Sequence, residues 1–407
     1  MRILWITNIA MPALCKEMGW PLPVIGAWMY SSLDCLKAIP DCKIAVATVY
    51  QGKELIVKKI ENITYYLLPL EGKQKNKYNR SLESYWEQIK LDYEPDVVHI
   101  HGTEFPHGLA YVKACGNKGV IVSVQGLVSV ISRYYTDGIE RENLKTLTFR
   151  DILRNGGFLA SQNSFKKTGE TEQELIRSVN HIIGRTEWDK AHCWAINPNV
   201  KYHHVGETLR QSFYKAKWTY ENCEPHTIFV SQASYPIKGL HMLLKALPLI
   251  LRQYPDTKIY VAGSDETVKP FWRITAYGKY LKKLINKYNL RNHVVFTGLL
   301  SEEKMCEQYL KANIFVCCSA IENSPNSLGE AQMLGMPYLA TFAGGIPEIV
   351  GMNPRVLYRF EEIEILAKKV CEIFDDYTIQ SLDSAVELYD HNKIMDSLLN
   401  SYREATL

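Results

Sequence analysis

Short apolar runs alternate with helix-like stretches through most of the chain. Ile3–Thr7, Lys43–Thr48, Thr64–Leu68, Val97–Ile100, Val120–Val124 and His181–Gly184 are runs of the kind that form strands, most of them rich in β-branched and aromatic residues. Between them, Trp28–Ile39 and Ser81–Lys90 have helical composition. This alternation predicts an α/β chain whose parallel sheet is covered on both faces. A second set of the same kind runs from Thr227 to about Asp376, with Ile314–Ser319 as a clear buried strand. The polar, aromatic-dotted stretch Gly206–Pro225 reads as a linker. The expected division is therefore 1–205, linker 206–225 and 226–388. Tyr389–Leu407 reads as a last helix, with Ile394, Leu398 and Tyr402 at amphipathic spacing.

Composition adds mainly exclusions. The 407 residues suffice for two domains with sizeable cores, and 46% hydrophobic with 22% charged residues argues against disorder. A net charge of +3 is too small for a nucleic-acid-binding protein, which needs a concentrated basic face. Ten cysteines include no C-x-x-C, and Cys317-Cys318 fall inside an apparent strand, so a reduced, cytoplasmic setting is expected. MRILWITNIAMP reads as a buried strand entering a loop rather than as a secretory signal. No apolar run reaches the ~18 residues of a spanning helix. Ser132–Lys167 interleaves basic residues with tyrosines and phenylalanines. A solvated insertion explains it, and an acceptor platform touching anionic headgroups on the inner face of a membrane stays open as the alternative.

Candidate chemistry concentrates in ENSPNSLGE (Glu322–Glu330). An apolar strand precedes it, and helix formers ending at Gly335-Met336-Pro337 follow it. Ser324, Asn326 and Ser327 are candidate N-caps, and Pro325 suits a first helical turn. Two carboxylates thus flank a strand-to-helix loop, where α/β sheets place ligands against free N–H groups. The plain alternative is a solvated carboxylate and a helix-capping acid.

The order of blocks carries more than any one of them. VSQASYPIKG (Val230–Gly239), IYVAGS (Ile259–Ser264), VVFTGLLSEEKM (Val294–Met305), the stretch from Ile314 to Thr341 and AGGIPEIV (Ala343–Val350) follow one another. The series resembles the nucleotide-binding half of GT-B glycosyltransferases, most closely the retaining glycosyltransferase family 4, whose two glutamates stand seven residues apart like Glu322 and Glu330. The resemblance is strong from about Thr227 to Val350 and looser before that. It implies a GT-B architecture, two Rossmann-like parallel-sheet domains facing a central cleft. The first would be the acceptor side, joined by the last helix, and the second would bind the donor.

The same resemblance implies roles. Lys238 would meet the donor diphosphate, together with the amides at Asn326 and Ser327. Glu322 would grip the sugar hydroxyls and Glu330 the ribose hydroxyls, with Asn323, Ser324 and Pro325 lining the donor loop. The backbone at Gly298-Leu299 would face the nucleobase. Three positions depart from the family. Ala27 replaces the second residue of a Gly-Gly pair, so only Gly26 is carried over to the diphosphate. Gln232 stands at the position of a family arginine, and Gln125 at that of a family histidine. Independently, His99 and His101 share one face of DVVHIH. His101, nearer the strand's C-terminal end, is the candidate cleft residue and His99 a core histidine.

The expected activity is transfer of a sugar from a nucleotide-diphosphate sugar to a hydroxyl of a saccharide or lipid-linked saccharide, with retention. Glu322, Lys238 and His101 are the candidate catalytic residues. Family habit suggests cell-surface polysaccharide or glycan synthesis. No D-x-D occurs in the chain, so no divalent metal is expected and no cofactor beyond the donor itself. A nucleotide-sugar 2-epimerase of the same fold and a non-catalytic nucleotide or sugar binder are the alternatives.

Overall fold

The computed structural model describes residues 1–23, 26–70, 78–377 and 383–407. In the first unit, β1 (Arg2–Thr7), β2 (Lys43–Tyr50), β3 (Ile56–Ile60), β4 (Ile63–Pro69), β5 (Val97–His101), β6 (Val120–Ser123), β7 (His181–Gly184) and β8 (Lys201–His204) form one sheet. Its order is β3-β4-β2-β1-β5-β6-β7-β8. Neighbours pair in parallel except β3 with β4, which are antiparallel. Central strands are covered on both faces, so successive residues must be apolar, and Ile3, Leu4, Trp5 and Ile6 of β1 are fully buried. The strands β3 and β8 were not expected. They read IVKKI and KYHH, with polar positions exposed at the sheet edges, and that polarity conceals them in the sequence.

This unit comprises Met1–Val130, Lys166–Thr208 and Tyr389–Leu407. The last helix, His391–Ala405, packs Ile394, Met395, Leu398 and Tyr402 into the core with Trp5, Met29 and Ile183. Trp5 Nε1 donates to Tyr402 Oη at 3.0 Å.

The second unit comprises Ile131–Phe165 and Leu209–Leu388. Its strands are β9 (Glu224–Val230), β10 (Lys258–Val261), β11 (Val294–Phe296), β12 (Ala312–Cys317), β13 (Tyr338–Thr341) and β14 (Leu357–Tyr358). They run β11-β10-β9-β12-β13-β14, all in parallel. Helices Leu240–Ile250 and Ile363–Asp375 contribute to one core cluster. A second cluster gathers Phe229, Tyr309, Phe315, Leu328 and Leu334.

Two segments sit differently from the expected division. Ile131–Phe165 belongs to the second unit, not to a continuous 1–205 domain. Ile139 and Phe158 enter that unit's core, and Glu140 pairs with Lys245 at 2.8 Å while accepting from Tyr280 Oη at 2.7 Å. Likewise 206–225 is not a free linker from Leu209 onward. Gln211–Lys215 is helical, Phe213 is fully buried, and Trp218 Nε1 donates to the Ala312 carbonyl at 2.8 Å.

Each sheet has a point where the strand order reverses direction from the first strand laid down. In the first unit this is β1/β5, and in the second β9/β12. Loops leaving the C-terminal ends of such neighbours diverge to opposite sides and leave a crevice, where open α/β sheets take their ligands.

Candidate active site

The second unit's switch point is built from two loops laced together. After β9, the chain makes a 3-10 turn, Pro236–Lys238, and reaches Gly239 at φ 70°. A Cβ on Gly239 would lie 1.7 Å from the Cys318 carbonyl oxygen, so only glycine lets the turn approach the loop after β12. Ala320 N then donates to the Ile237 carbonyl at 2.7 Å, and Cys318 Sγ to the Lys238 carbonyl at 3.2 Å. A second glycine closes the other side. Gly344 has φ 58°, a Cβ there would come within 1.8 Å of the Glu322 carbonyl oxygen, and Gly345 N donates to that oxygen at 3.0 Å.

Held this way, Glu322 Oε1 accepts from Lys238 Nζ at 2.5 Å and from Ser319 Oγ at 2.8 Å. Both side chains are largely buried. Burial works against the lysine's charge, but Glu322, with Tyr235 beside it, holds the ammonium pKa above its ordinary value. The sequence placed Lys238 and Glu322 in separate roles, whereas the structure joins them in one ion pair.

Helix Asn326–Leu334 begins immediately after this loop. Pro325 occupies the N-cap position itself, and no side chain caps the helix. Asn326 and Ser327 are the first helical residues rather than caps, so their amides stand at the positive end of the helix dipole. Asn323 is buried in the loop between.

Glu330, one turn further, is 3% exposed. Both its oxygens accept from Arg210, from Nε and Nη2, each at 2.6 Å. Burial pushes the Glu330 carboxyl up and the Arg210 fork opposes it, while the carboxylate raises the guanidinium. Two short parallel bonds are the geometry of a charged, bidentate pair. Arg210, in a segment read as linker, orients Glu330. Gln232 is exposed, and Leu299 is 74% exposed in the loop after edge strand β11. Gly298 exchanges backbone bonds with Gly263 at 2.9 and 3.2 Å. The structure thus brings Lys238, Ser319 and Glu322 together and leaves Gln232 and Leu299 outside that network.

In the first unit, Gly26 is the left-handed N-cap of helix Ala27–Lys37. His99 is satisfied as a core histidine, with Nδ1 2.7 Å from Tyr402 Oη and Nε2 bonded to Ser123 Oγ. His101 differs. Its ring packs at 3.8 Å from His99 and 4.3 Å from Trp5 between centroids, yet both ring nitrogens are buried without a hydrogen-bond partner among the described residues. It lines a recess of about 30 Å³ with Trp28, Gln125, Arg185 and Glu207. Burial lowers its pKa to about 3, so the ring is neutral, with one nitrogen able to donate and the other to accept. Arg185 pairs with Glu207 at 2.6 Å and donates to the Gln125 carbonyl at 2.9 Å. That pair went unnoticed in the sequence, and only the strand order could have pointed to it.

This combination of two sheets, parallel but for β3, with the acidic loop at a switch point defines a class, the GT-B glycosyltransferase fold. Sucrose-phosphate synthase from Thermosynechococcus elongatus superposes with a TM-score of 0.73 at 16% identity, over 99% of this chain and 98% of that one. HepE of Anabaena in complex with UDP-glucose superposes with a TM-score of 0.65 at 14% identity, over 99% and 100%. Within the class, residues 211–387 match the family described as glycosyl transferases group 1. Over those residues the chain is similar to that group. Bacillus subtilis YtcC is 27% identical over 301 residues, 70% of this chain. The match spans 65% of that relative's length.

Proposed function

We propose that the protein transfers a sugar from a nucleotide-diphosphate sugar to a hydroxyl of a saccharide or lipid-linked saccharide, retaining the anomeric configuration. The Lys238–Glu322 pair, at the β9/β12 switch point and just before the N-terminus of helix Asn326–Leu334, carries this reading. The UDP-glucose held by the Anabaena neighbour supports a nucleotide-diphosphate donor.

In this reading Lys238 turns its ammonium to the diphosphate oxygens, and the amides of Asn326 and Ser327 add the dipole end. Charge accumulates on the diphosphate as the sugar–oxygen bond breaks, so these groups act most strongly in the transition state. Glu322, oriented by Ser319, binds sugar hydroxyls beside the carbon that gains positive character. Glu330, oriented by Arg210, binds the ribose. Gln125 and the neutral His101 serve the acceptor side. The acceptor oxygen bonds to the anomeric carbon on the face the diphosphate leaves, and its proton passes to the departing phosphate oxygen. A glycoside and a nucleoside diphosphate result, with no divalent metal in the scheme. His101, with its pKa near 3, is too weak a base to compete for that proton.

The test is a panel of UDP-, GDP- and ADP-sugars read by thermal stabilisation, followed by mass spectrometry with saccharide acceptors. A ligand at a hundred times its Kd adds ~2.7 kcal/mol, a clear rise in Tm. One donor and its free nucleotide diphosphate should both stabilise. No stabilisation by any donor would sink the reading, and release of free 2-epimerised sugar without acceptor would replace it with an epimerase.

A further inference from the structure

Helix Phe149–Arg154 in the second unit is turned the wrong way for a soluble surface. Phe149, Ile152 and Leu153 stand at i, i+3 and i+4, the spacing of one helical face, and are 51, 66 and 69% exposed. The one buried residue of the helix is its acid, Asp151, which accepts from the Thr148 amide and hydroxyl in a capping box. Apolar exposure continues across the neighbouring loop. The Phe271 ring lies 6.0 Å from Phe149 and 5.1 Å from Trp272, and these two aromatics are 70 and 54% exposed.

Between helix and loop lies a pocket of about 170 Å³ lined by Arg150, Arg154, Lys269, Arg273 and Trp272. Two of these cations already meet a carboxylate. Lys269 pairs with Glu266 at 2.5 Å, and Arg150 is 3.9 Å from Asp151. Arg154 and Arg273 have no carboxylate partner among the described residues. A pocket walled by cations and ringed by exposed Phe, Trp, Ile and Leu combines an anion site with an apolar rim.

We infer that this face docks the protein on a bilayer containing anionic phospholipid, with a headgroup phosphate in the Arg150/Arg154/Arg273 pocket and the surrounding apolar side chains in the interfacial layer. Charge complementarity selects this occupant. A pocket lined by arginines and no acid suits a negative surface, and aromatic side chains beside it suit the headgroup level of a membrane. No helix among the described residues is long and apolar enough to cross a membrane, so this contact is peripheral. The inference is independent of the catalytic reading.

Vesicle sedimentation of the full chain decides it. Vesicles of equal parts phosphatidylcholine and phosphatidylglycerol, in about 0.1 M salt, should bind at least tenfold more tightly than phosphatidylcholine alone. Each surface cation contributes roughly fivefold, so Arg154→Glu/Arg273→Glu should weaken binding more than tenfold. Ile152→Ser/Leu153→Ser should weaken it comparably at unchanged charge. Both variants should melt like the parent, because every altered side chain is exposed. Equal binding to neutral vesicles, or no loss in either variant, overturns the inference. So does a parent that is stabilised by inorganic phosphate but ignores vesicles, which would mark a simple anion pocket. A parent dimer that Ile152→Ser/Leu153→Ser converts to monomer, without vesicle binding, overturns it in favour of a protein interface.

Discussion

Lys238 Nζ lies 2.5 Å from Glu322 Oε1, and the two residues come from neighbouring strands' loops 84 positions apart. Ser319 Oγ, 2.8 Å from the same oxygen, fixes which carboxylate oxygen faces the lysine. A cation and an anion this close share one environment, so a change in either reaches the other.

Lys238→Ala should lower kcat by ~10²-fold or more, the scale of losing one preorganised electrostatic group. Glu322→Gln should lower kcat while nearly preserving affinity for the free nucleotide diphosphate, since in the proposed scheme it meets the sugar. Because the pair is coupled, the double variant should cost less than the two single losses multiplied. Strict multiplicativity in steady-state kinetics would mean that the contact has no part in turnover.

Glu330 and Arg210 should behave as a buried pair. Removing one partner strands the other's charge, and Arg210→Ala should destabilise the second unit by about 3 kcal/mol. Arg210→Lys should rescue it poorly, because an ammonium cannot reproduce the fork. Glu330→Gln should raise KM for the donor more than it lowers kcat, since in the proposed scheme it binds the ribose, which does not change in the reaction. Denaturant unfolding and donor kinetics on these variants separate orientation from mere stability. Wild-type KM in a folded Glu330→Gln protein would remove Glu330 from the donor site.

Gly239→Ala and Gly344→Ala should each destabilise by ~2 kcal/mol or more. Both glycines have positive φ, and an added methyl would collide with a backbone carbonyl oxygen, which cannot rotate away. Any folded protein recovered should also lose turnover, since the Lys238 and Glu322 loops would move apart. Unchanged melting temperatures would show that the loops are not clamped as described.

Acid should destabilise the first unit through His101. Its folded-state pKa of about 3 lies below the ordinary 6.5, because burial disfavours the cation. The unfolded chain therefore binds the proton first, and stability is complete above about pH 6.5 and lost as pH falls toward 3. Between pH 7 and 5 the loss should be about 2 kcal/mol from this group. His101→Phe should flatten that part of the profile in urea unfolding at the two pH values. An unchanged slope would place the His101 ring in contact with solvent.

Chelation should leave turnover largely intact, as the chain lacks a D-x-D and Lys238 meets the leaving diphosphate in the proposed scheme. Loss of activity in EDTA that Mg²⁺ or Mn²⁺ restores would overturn that assignment.

The sequence by itself determined the local grammar of this protein. Central strands such as β1 and β12 were legible because burial on both faces forces continuous apolar runs, and the loop from Glu322 to Ser327 was legible because a strand stop and a helix start bracket it. Edge strands β3 and β8 were not, since exposure lets them carry lysines and histidines that erase the strand period. Only the tertiary structure decided which side chains meet. Strand order β9-β12 brings Lys238 to Glu322, and a segment read as linker brings Arg210 to Glu330 across 120 residues. It also decided that Ile131–Phe165 packs with the second unit and turns Phe149, Ile152 and Leu153 outward. Periodicity reports that a helix has an apolar face, but which way that face points depends on what packs against it.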